Sequence, residues 1–261
     1  MNTATGTRIV ALAFLKLSLR SKRTRTFFVL ALVPPVLLAL VGVLSAGARH
    51  GSAALTFADG PAPSFFFQLL IPLLALFYGS TVVSDEIEDK TLVYLVTRPA
   101  PRGALFLGKA LASLAVAAVV TLASLLAAFV TTDPAGLANP DRWGLFLRFT
   151  GVGLLGVLAY GALFAWAGTW IKRPVLAGLI FVFGWESVIQ FMPGVTQKFT
   201  LVHWLKSLLP QLGKNTGPLA FQLEPSGTSA SVAVLLVLGL AALLAGAFIF
   251  RRKEYIISES N

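Results

Sequence analysis

Six long apolar runs, separated by short charged or turn-rich segments, dominate the chain. Each run is roughly 20–23 residues long, and a helix rises about 1.5 Å per residue, so each can cross the roughly 30 Å of hydrocarbon in a bilayer. Backbone N–H and C=O groups in lipid must bond one another within the segment, which predicts helices rather than strands. The runs cover residues 27–48, 63–83, 111–132, 149–171, 175–196 and 231–250.

Prolines inside the first two runs predict irregular helices. Pro34 and Pro35 lie in the first run and Pro72 in the second. A proline nitrogen has no hydrogen to donate, so the helix kinks and a carbonyl one turn earlier loses its partner. We expect neighbouring helices or water to supply the missing hydrogen bonds.

Residues 1–26 predict an amphipathic helix that lies in the membrane interface. At 100° per residue, Val10, Phe14 and Leu17 fall on one side. Cations on the other side would meet anionic head groups. A simple positively charged anchor is the alternative interpretation. The basic side carries Arg8, Lys16, Arg20 and Arg23.

Composition supports an all-α, polytopic membrane protein. Of 261 residues, 56% are hydrophobic and 12% are charged, whereas soluble domains have about 45–50% and 25%. The mean hydropathy is +0.81. The absence of cysteine excludes disulfides and thiolate metal sites. We expect no cleavable signal peptide and one six-helix membrane domain at 27–250, flanked by the interface helix and a tail at 251–261.

The placement of Lys and Arg predicts the orientation. If both termini are cytoplasmic, the inner segments carry 15 of these residues and the outer segments carry six. This excess predicts that both termini lie on the cytoplasmic side of a cell membrane. It also explains the net charge of +10 without nucleic acid as a partner.

A charged interruption follows the second run. Asp85, Glu86, Glu88 and Asp89 form an acidic cluster, and Ser84 precedes it as a predicted N-cap. Acids in the first turn of a helix are favoured by the helix dipole, and this alone could explain the cluster. The alternative is an exposed helix that docks into a partner. The spacing is not that of a calcium loop, and no His or Cys accompanies the acids, so we expect no metal.

The residues after the second run resemble the corresponding loop of ABC-2-type permeases, the membrane subunits of ATP-binding-cassette exporters. The shared pattern is acid, acid, Thr, paired apolar residues, Pro, basic residue and Gly-Lys; Lys90 stands where the family usually has Gly. The resemblance implies a cytoplasmic coupling helix within 84–104 that meets the ATPase. The implied coupling residues are Ser84, Asp85, Glu86, Glu88, Asp89, Thr91, Leu95, Pro99, Arg102 and Lys109.

The segment from Gly103 to Lys109 matches part of a phosphate-binding loop. The next residue is Ala110, so the hydroxyl that ligands magnesium is missing, and the intervening residues are apolar. We therefore expect no nucleotide site and no enzymatic activity on this chain. The resemblance implies that Mg-ATP binds to the partner ATPase instead.

Glu186 is the only ionisable residue in the middle of a run. A charged carboxylate there costs about 2.5–3.5 kcal/mol on insertion scales, so it should face the bundle interior or be protonated. Gln190 lies one turn later on the same face. We predict a contact with the translocation path or a second subunit, with Gln68 and Tyr78 as weaker candidates. A protonated or hydrogen-bonded Glu that holds helices together is the alternative.

The last outer loop predicts a helix on the outer surface. The loop at 197–230 begins with apolar residues at helical spacing, which predicts an amphipathic helix on the outer surface with His203 at the interface. The resemblance implies short outer helices that partly re-enter the membrane.

Glycines in two runs suit close helix contacts: Gly151, Gly153, Gly156, Gly161, Gly239 and Gly246.

The resemblance implies an exporter permease that works as a homodimer or with a close paralogue, on two ATPase subunits. ATP would close the ATPases, push the coupling helix and the N-terminal helix, and tilt the spans. Two alternatives remain: an assembly, maturation or signalling subunit of the same class, and a transporter that needs no ATPase. An intramembrane enzyme is disfavoured, because no HExxH motif and no paired acids lie in the runs.

Overall fold

The computed structural model describes residues 3–48, 65–88, 102–132, 134–190, 195–209 and 226–252. These residues are helical and contain no strand, as the composition predicts. The helices are α1 (Thr3–Arg20), α2 (Lys22–Ala31), α3 (Val33–Ala48), α4 (Ile71–Glu88), α5 (Arg102–Thr132), α6 (Pro140–Ala167), α7 (Pro174–Leu179), α8 (Ser187–Gln190), α9 (Leu201–Ser207) and α10 (Thr228–Arg252).

Two π-helical segments interrupt this regular pattern. One, Phe65–Leu70, leads into α4, and the other, Ile180–Glu186, joins α7 to α8. Short 3₁₀ helices at Pro134–Ala138 and Val195–Phe199 precede α6 and α9.

Four helices of the described residues are long and apolar enough to cross a membrane: Phe65–Val83, α5, α6 and α10. The other two predicted spans have shorter apolar helices, Thr24–Leu40 and Pro174–Ile189. The structure therefore supports a polytopic membrane protein, and six spans stay a prediction. We call the end of the bundle that carries Arg102, Lys172 and Arg251 the basic end.

The first run is broken at the predicted place. Helix α2 ends at Ala31, Leu32 forms a turn, and α3 carries Pro34 and Pro35 in its first turn. Pro35 cannot donate to the Ala31 carbonyl four residues earlier. The Ser124 hydroxyl of α5 donates to that carbonyl instead, and both residues are buried. A neighbouring helix thus supplies the hydrogen bond that the proline removes.

We expect Ser124→Ala to lower the free energy of unfolding by about 1–3 kcal/mol, because a buried carbonyl loses its donor. Denaturant titration in mixed micelles measures this. Thr131→Ala on the same helix is the control, since the Thr131 hydroxyl bonds only carbonyls of its own helix, Ala127 and Ala128. Equal losses in both variants would contradict the assigned role of Ser124.

The second run changes helix type at its proline. The π-helical segment ends at Leu70, and Pro72 occupies the first turn of α4. Since Phe65–Val83 is one continuous helix, Pro72 lies in its interior, and a carbonyl one turn earlier lacks the N–H that another residue would donate.

Helix α4 lies at the centre of the core and packs closely on α6. A Cβ atom placed on Gly79 would lie 2.6 Å from the Gly161 carbonyl oxygen, and one on Gly168 would lie 2.7 Å from the Ser80 carbonyl oxygen. Glycine lets the two backbones approach at both crossings, as is common in membrane helix pairs. Large buried side chains fill the rest of the core: Phe66, Phe67, Ile71, Leu74, Leu76, Leu125, Phe129, Phe149 and Tyr160.

The predicted single helix over 1–26 is two helices. Ser21 separates α1 from α2, and its hydroxyl accepts a hydrogen bond from the Thr24 N–H at 3.1 Å. The predicted apolar face is also only partly right. Val10 and Phe14 are half-buried, whereas Leu17 is 67% exposed.

Candidate functional site

Glu186 ends the second π-helical segment and is buried, with 2% of its surface exposed. Its side chain reaches the beginning of α9. The Leu201 N–H donates to Glu186 Oε1 at 3.0 Å, and the Val202 N–H donates to Oε2 at 3.3 Å. These N–H groups lie in the first turn of α9, where no carbonyl of the helix can accept them. The carboxylate therefore satisfies two donors that the bundle would otherwise bury unpaired.

Tyr160 of α6 binds the same carboxylate. Its hydroxyl donates to Glu186 Oε2, and the tyrosine is fully buried. One carboxylate thus joins three elements: the second π-helical segment, α6 and α9. The structural alternative for Glu186, a hydrogen-bonded residue that holds helices together, matches this geometry.

Lys206 extends the polar contacts from α9 to the first π-helical segment. Its Nζ donates to Gln68 Oε1 at 3.3 Å. Burial lowers the pKa of Lys206 to about 8, and the nearby charge of Glu186 opposes this shift. We call Gln68, Tyr160, Glu186 and Lys206 the Glu186 cluster. Tyr160 lies within α6 rather than at either of its ends, so the cluster reaches into the middle of the bundle.

Helix α9 is not the surface helix that the sequence predicts. Leu201, Val202 and Leu205 are buried, and Leu205 packs where Gly156 leaves room on α6. Thr200 caps the helix, because its hydroxyl accepts from the His203 N–H at 3.3 Å. Part of the predicted apolar stripe therefore faces protein rather than lipid, although Phe199 is 72% exposed.

His203 is buried rather than interfacial, with 2% of its surface exposed. Its Nε2 lies 3.0 Å from the Ser226 hydroxyl, and the Ser226 N–H donates to the Ser207 hydroxyl at 3.2 Å. Burial, and then the charge of Lys198, lower the pKa of His203. These contacts connect α9 to the residues that precede α10.

The predicted path residues separate in space. Gln68 joins the Glu186 cluster, whereas Tyr78 is buried farther along α4, with its ring 5.5 Å from that of Phe27. Gln190 is the last residue of α8, and its side chain lies outside what the structure describes.

Tyr160 and Lys206 were not predicted as site residues. A tyrosine among glycine and alanine in mid-span, and a lysine among apolar residues, were the available signals.

The predicted coupling segment is only partly described. Ser84, Asp85, Glu86 and Glu88 occupy the last turns of α4, so Ser84 is not the N-cap of a new helix. Asp89, Thr91, Leu95 and Pro99 lie outside the described residues. The described acids are not in the first turn of a helix, where its dipole would favour them. The dipole therefore does not explain the cluster.

Helix α5 begins at Arg102, which is exposed, and its first turns are held by two other helices. A Cβ on Gly108 would lie 2.8 Å from the Thr7 carbonyl oxygen and from Val10 Cβ of α1. Lys109 Nζ lies 5.3 Å from the centre of the Phe14 ring. The segment from Gly103 to Lys109 is part of a helix rather than a loop.

Helix α10 holds the start of α5 on another side. The Phe106 and Phe250 rings are 6.0 Å apart, and Gly246 leaves room for the Phe106 ring. The Arg251 side chain runs beside Gly103, with Cδ 3.2 Å from the position of a Cβ on that glycine. The start of α5 is therefore bounded by α1 and α10 together.

The predicted interface cations are placed on two helices. Arg8 and Lys16 of α1 are exposed, while Arg20 ends α1 and Arg23 lies in α2. The side chains of Arg20 and Arg23 are outside the described part. In that part of the chain, no group of three or more His, Asp or Glu residues could hold a metal ion.

Long apolar helices around a largely apolar interior define a multi-pass helical membrane protein. The family model of the ABC-2 family transporter proteins matches residues 8–255. The chain therefore belongs to this family, as its acidic loop after the second run predicts. No curated protein matches the sequence.

Proposed function

We propose that the chain is the permease subunit of an ABC exporter, which moves its substrate outward with ATP hydrolysed by a separate ATPase. The observation that carries this proposal is the position of Asp85, Glu86 and Glu88 in the last turns of α4. Asp85 and Glu88 are three residues apart on this helix, where like charges repel each other. Cations of a partner protein would offset that repulsion.

Motion at the last turns of α4 would reach the membrane through α5. This helix has 31 residues, about the length needed to cross the whole bilayer. Since α1 and α10 both pack on its first turns, a push on the preceding segment would move three helices together. Family membership supports the presence of an ABC ATPase at the basic end.

The remaining assignments of the proposal follow from membership and charge. Two ATPase subunits would bind Mg-ATP, and this chain would hold no nucleotide and catalyse no reaction. A second permease copy, identical or a close paralogue, would complete the membrane unit. The basic end would face the cytoplasm with both termini, and the lipid-facing surface would lie in the cell membrane.

Co-purification tests the proposal. A tagged chain extracted from its native membrane should bring Mg-ATP hydrolysis with it, and Glu86→Lys/Glu88→Lys should remove most of that activity, because cation then meets cation. Asp141→Lys is the control, since Asp141 is an exposed acid at the opposite end of the bundle.

Unchanged hydrolysis in the Glu86→Lys/Glu88→Lys protein would contradict the proposed coupling. Solute movement by the purified chain alone, without nucleotide, would instead favour a transporter that needs no ATPase. Recovery of the ATPase without any solute movement would favour the assembly, maturation or signalling subunit.

A further inference from the structure

We infer that the Glu186 cluster is a latch that holds α9 against the bundle and releases it when the path opens. The inference rests on the proposed function for the meaning of that opening. It differs from the predicted role of Glu186 as a path or dimer contact, since the carboxylate faces Tyr160 and the first N–H groups of α9.

The contacts of α9 give the cluster this role. At its start, the Leu201 and Val202 N–H groups depend on Glu186, and one turn later Lys206 depends on Gln68. Between them, Leu205 packs on Gly156 of α6. If α9 moves away from the bundle, every one of these contacts is lost together.

Both π-helical segments supply the latch. Gln68 lies inside Phe65–Leu70, and Glu186 is the last residue of Ile180–Glu186. A π-helical turn holds one more residue than an α-helical turn and is often found at functional sites. Its conversion to an α-helical turn rotates the residues beyond it by about 100°, since one residue spans that angle. A change of winding within a span can therefore withdraw either partner from α9.

Desolvation makes the latch all-or-none. A buried N–H left without a partner is unfavourable, and a buried charged carboxylate left without partners is more so. Breaking the contacts inside a dry bundle is therefore unfavourable, and release requires water to reach the same atoms. The closed and open positions of α9 are thereby kept as two separate states.

A chain without cysteine allows a direct test by single-cysteine labelling. Val202→Cys reports on α9, because Val202 is 1% exposed, and Val116→Cys on α5, 0% exposed, reports on the bundle. A soluble maleimide is added to the purified chain in detergent, without ATPase. Glu186→Gln should speed labelling at position 202 about tenfold, as one charge-assisted hydrogen bond is lost.

Tyr160→Phe is the milder second variant, because it keeps the ring and removes one hydrogen bond to Glu186. It should speed labelling at position 202 by a smaller factor and leave position 116 unchanged. An unchanged rate at position 202 in both variants would overturn the latch. So would an equal increase at position 116, since that indicates general loosening.

The test separates the latch from the proposed function. Glu86 and Glu88 lie in the last turns of α4, whereas Gln68 precedes its first residue, so Glu86→Lys/Glu88→Lys should leave labelling at position 202 unchanged. If Glu186→Gln and Tyr160→Phe leave the labelling rate at position 202 unchanged while the ATPase is still recovered, only this inference is refuted. Intact latch behaviour in a chain that recovers no ATPase would refute only the proposed function.

Discussion

Replacing Gly79 by valine is expected to lower the free energy of unfolding by about 3 kcal/mol, at the upper end of the usual cost of overpacking. Even the Cβ atom would lie 2.6 Å from the Gly161 carbonyl oxygen, 3.1 Å from Phe164 Cβ and 3.2 Å from the Ala165 nitrogen. Backbone atoms cannot move aside as a flexible side chain can, so α4 and α6 must separate. Denaturant titration in mixed micelles measures the loss.

Gly151→Ala is the matched control on α6, because nothing lies within 4 Å of the added Cβ. Alanine has the higher helix propensity, so this variant should be more stable by about 0.5–1 kcal/mol. Opposite signs for the two substitutions are the expected result. A Gly79→Val protein as stable as the parent would mean that α4 and α6 are not packed as described.

Gly108→Val is expected to detach α1 from the bundle without unfolding it. The Cβ of the new side chain would lie 2.8 Å from the Thr7 carbonyl oxygen and from Val10 Cβ and Cγ1. The clash costs about 1–3 kcal/mol, which shifts the docking of α1 by about tenfold or more. Limited trypsin digestion should therefore cleave faster after Arg8 and Lys16, both already exposed.

Gly103→Ala is the control on the same helix, since its nearest atoms are Cδ and Cγ of the flexible Arg251 side chain. It should leave the rate of cleavage in α1 unchanged. If the proposed coupling is right, Gly108→Val should also weaken the dependence of ATP hydrolysis on the permease. Slow, parent-like cleavage after Gly108→Val would show that α1 is held elsewhere.

The apolar runs and prolines allowed much of the fold to be predicted. Helices are the only backbone solution for an open chain in lipid, so run length and composition were enough for their type and approximate position. Pro34 and Pro35 predicted both a break and a replacement donor, from a neighbouring helix or from water. Sequence could not name Ser124 as that donor, because 93 residues separate it from Ala31.

The candidate site was predicted in part. Burial of Glu186 and the involvement of Gln68 followed from the cost of polar groups in lipid. Tyr160 and the start of α9 did not follow, because hydrogen-bond partners across a bundle depend on helix rotation. Ser84 was misassigned as an N-cap, since α4 continues through Glu88 where the sequence pattern suggested a new start.

The glycines at helix contacts were also predicted only in part. Gly153, Gly156, Gly161, Gly239 and Gly246 all have neighbouring atoms within 4 Å of an added Cβ, as predicted, but Gly151 has none. Gly79 of α4 was not singled out, although among the described glycines its added Cβ would lie nearest to the backbone of another helix, at 2.6 Å. Composition identifies a helix that can pack closely, whereas only the helix crossing identifies which glycine lies in it.

The sequence alone determined the class of protein, the helical type of its spans, the breaks at proline and the family. These depend on local chemistry and on the bilayer, which act on each segment separately. The tertiary structure decided which helices hold the start of α5, why α9 is buried, and which groups surround Glu186. Those features depend on the relative rotation of helices distant in sequence, and no local pattern encodes that rotation.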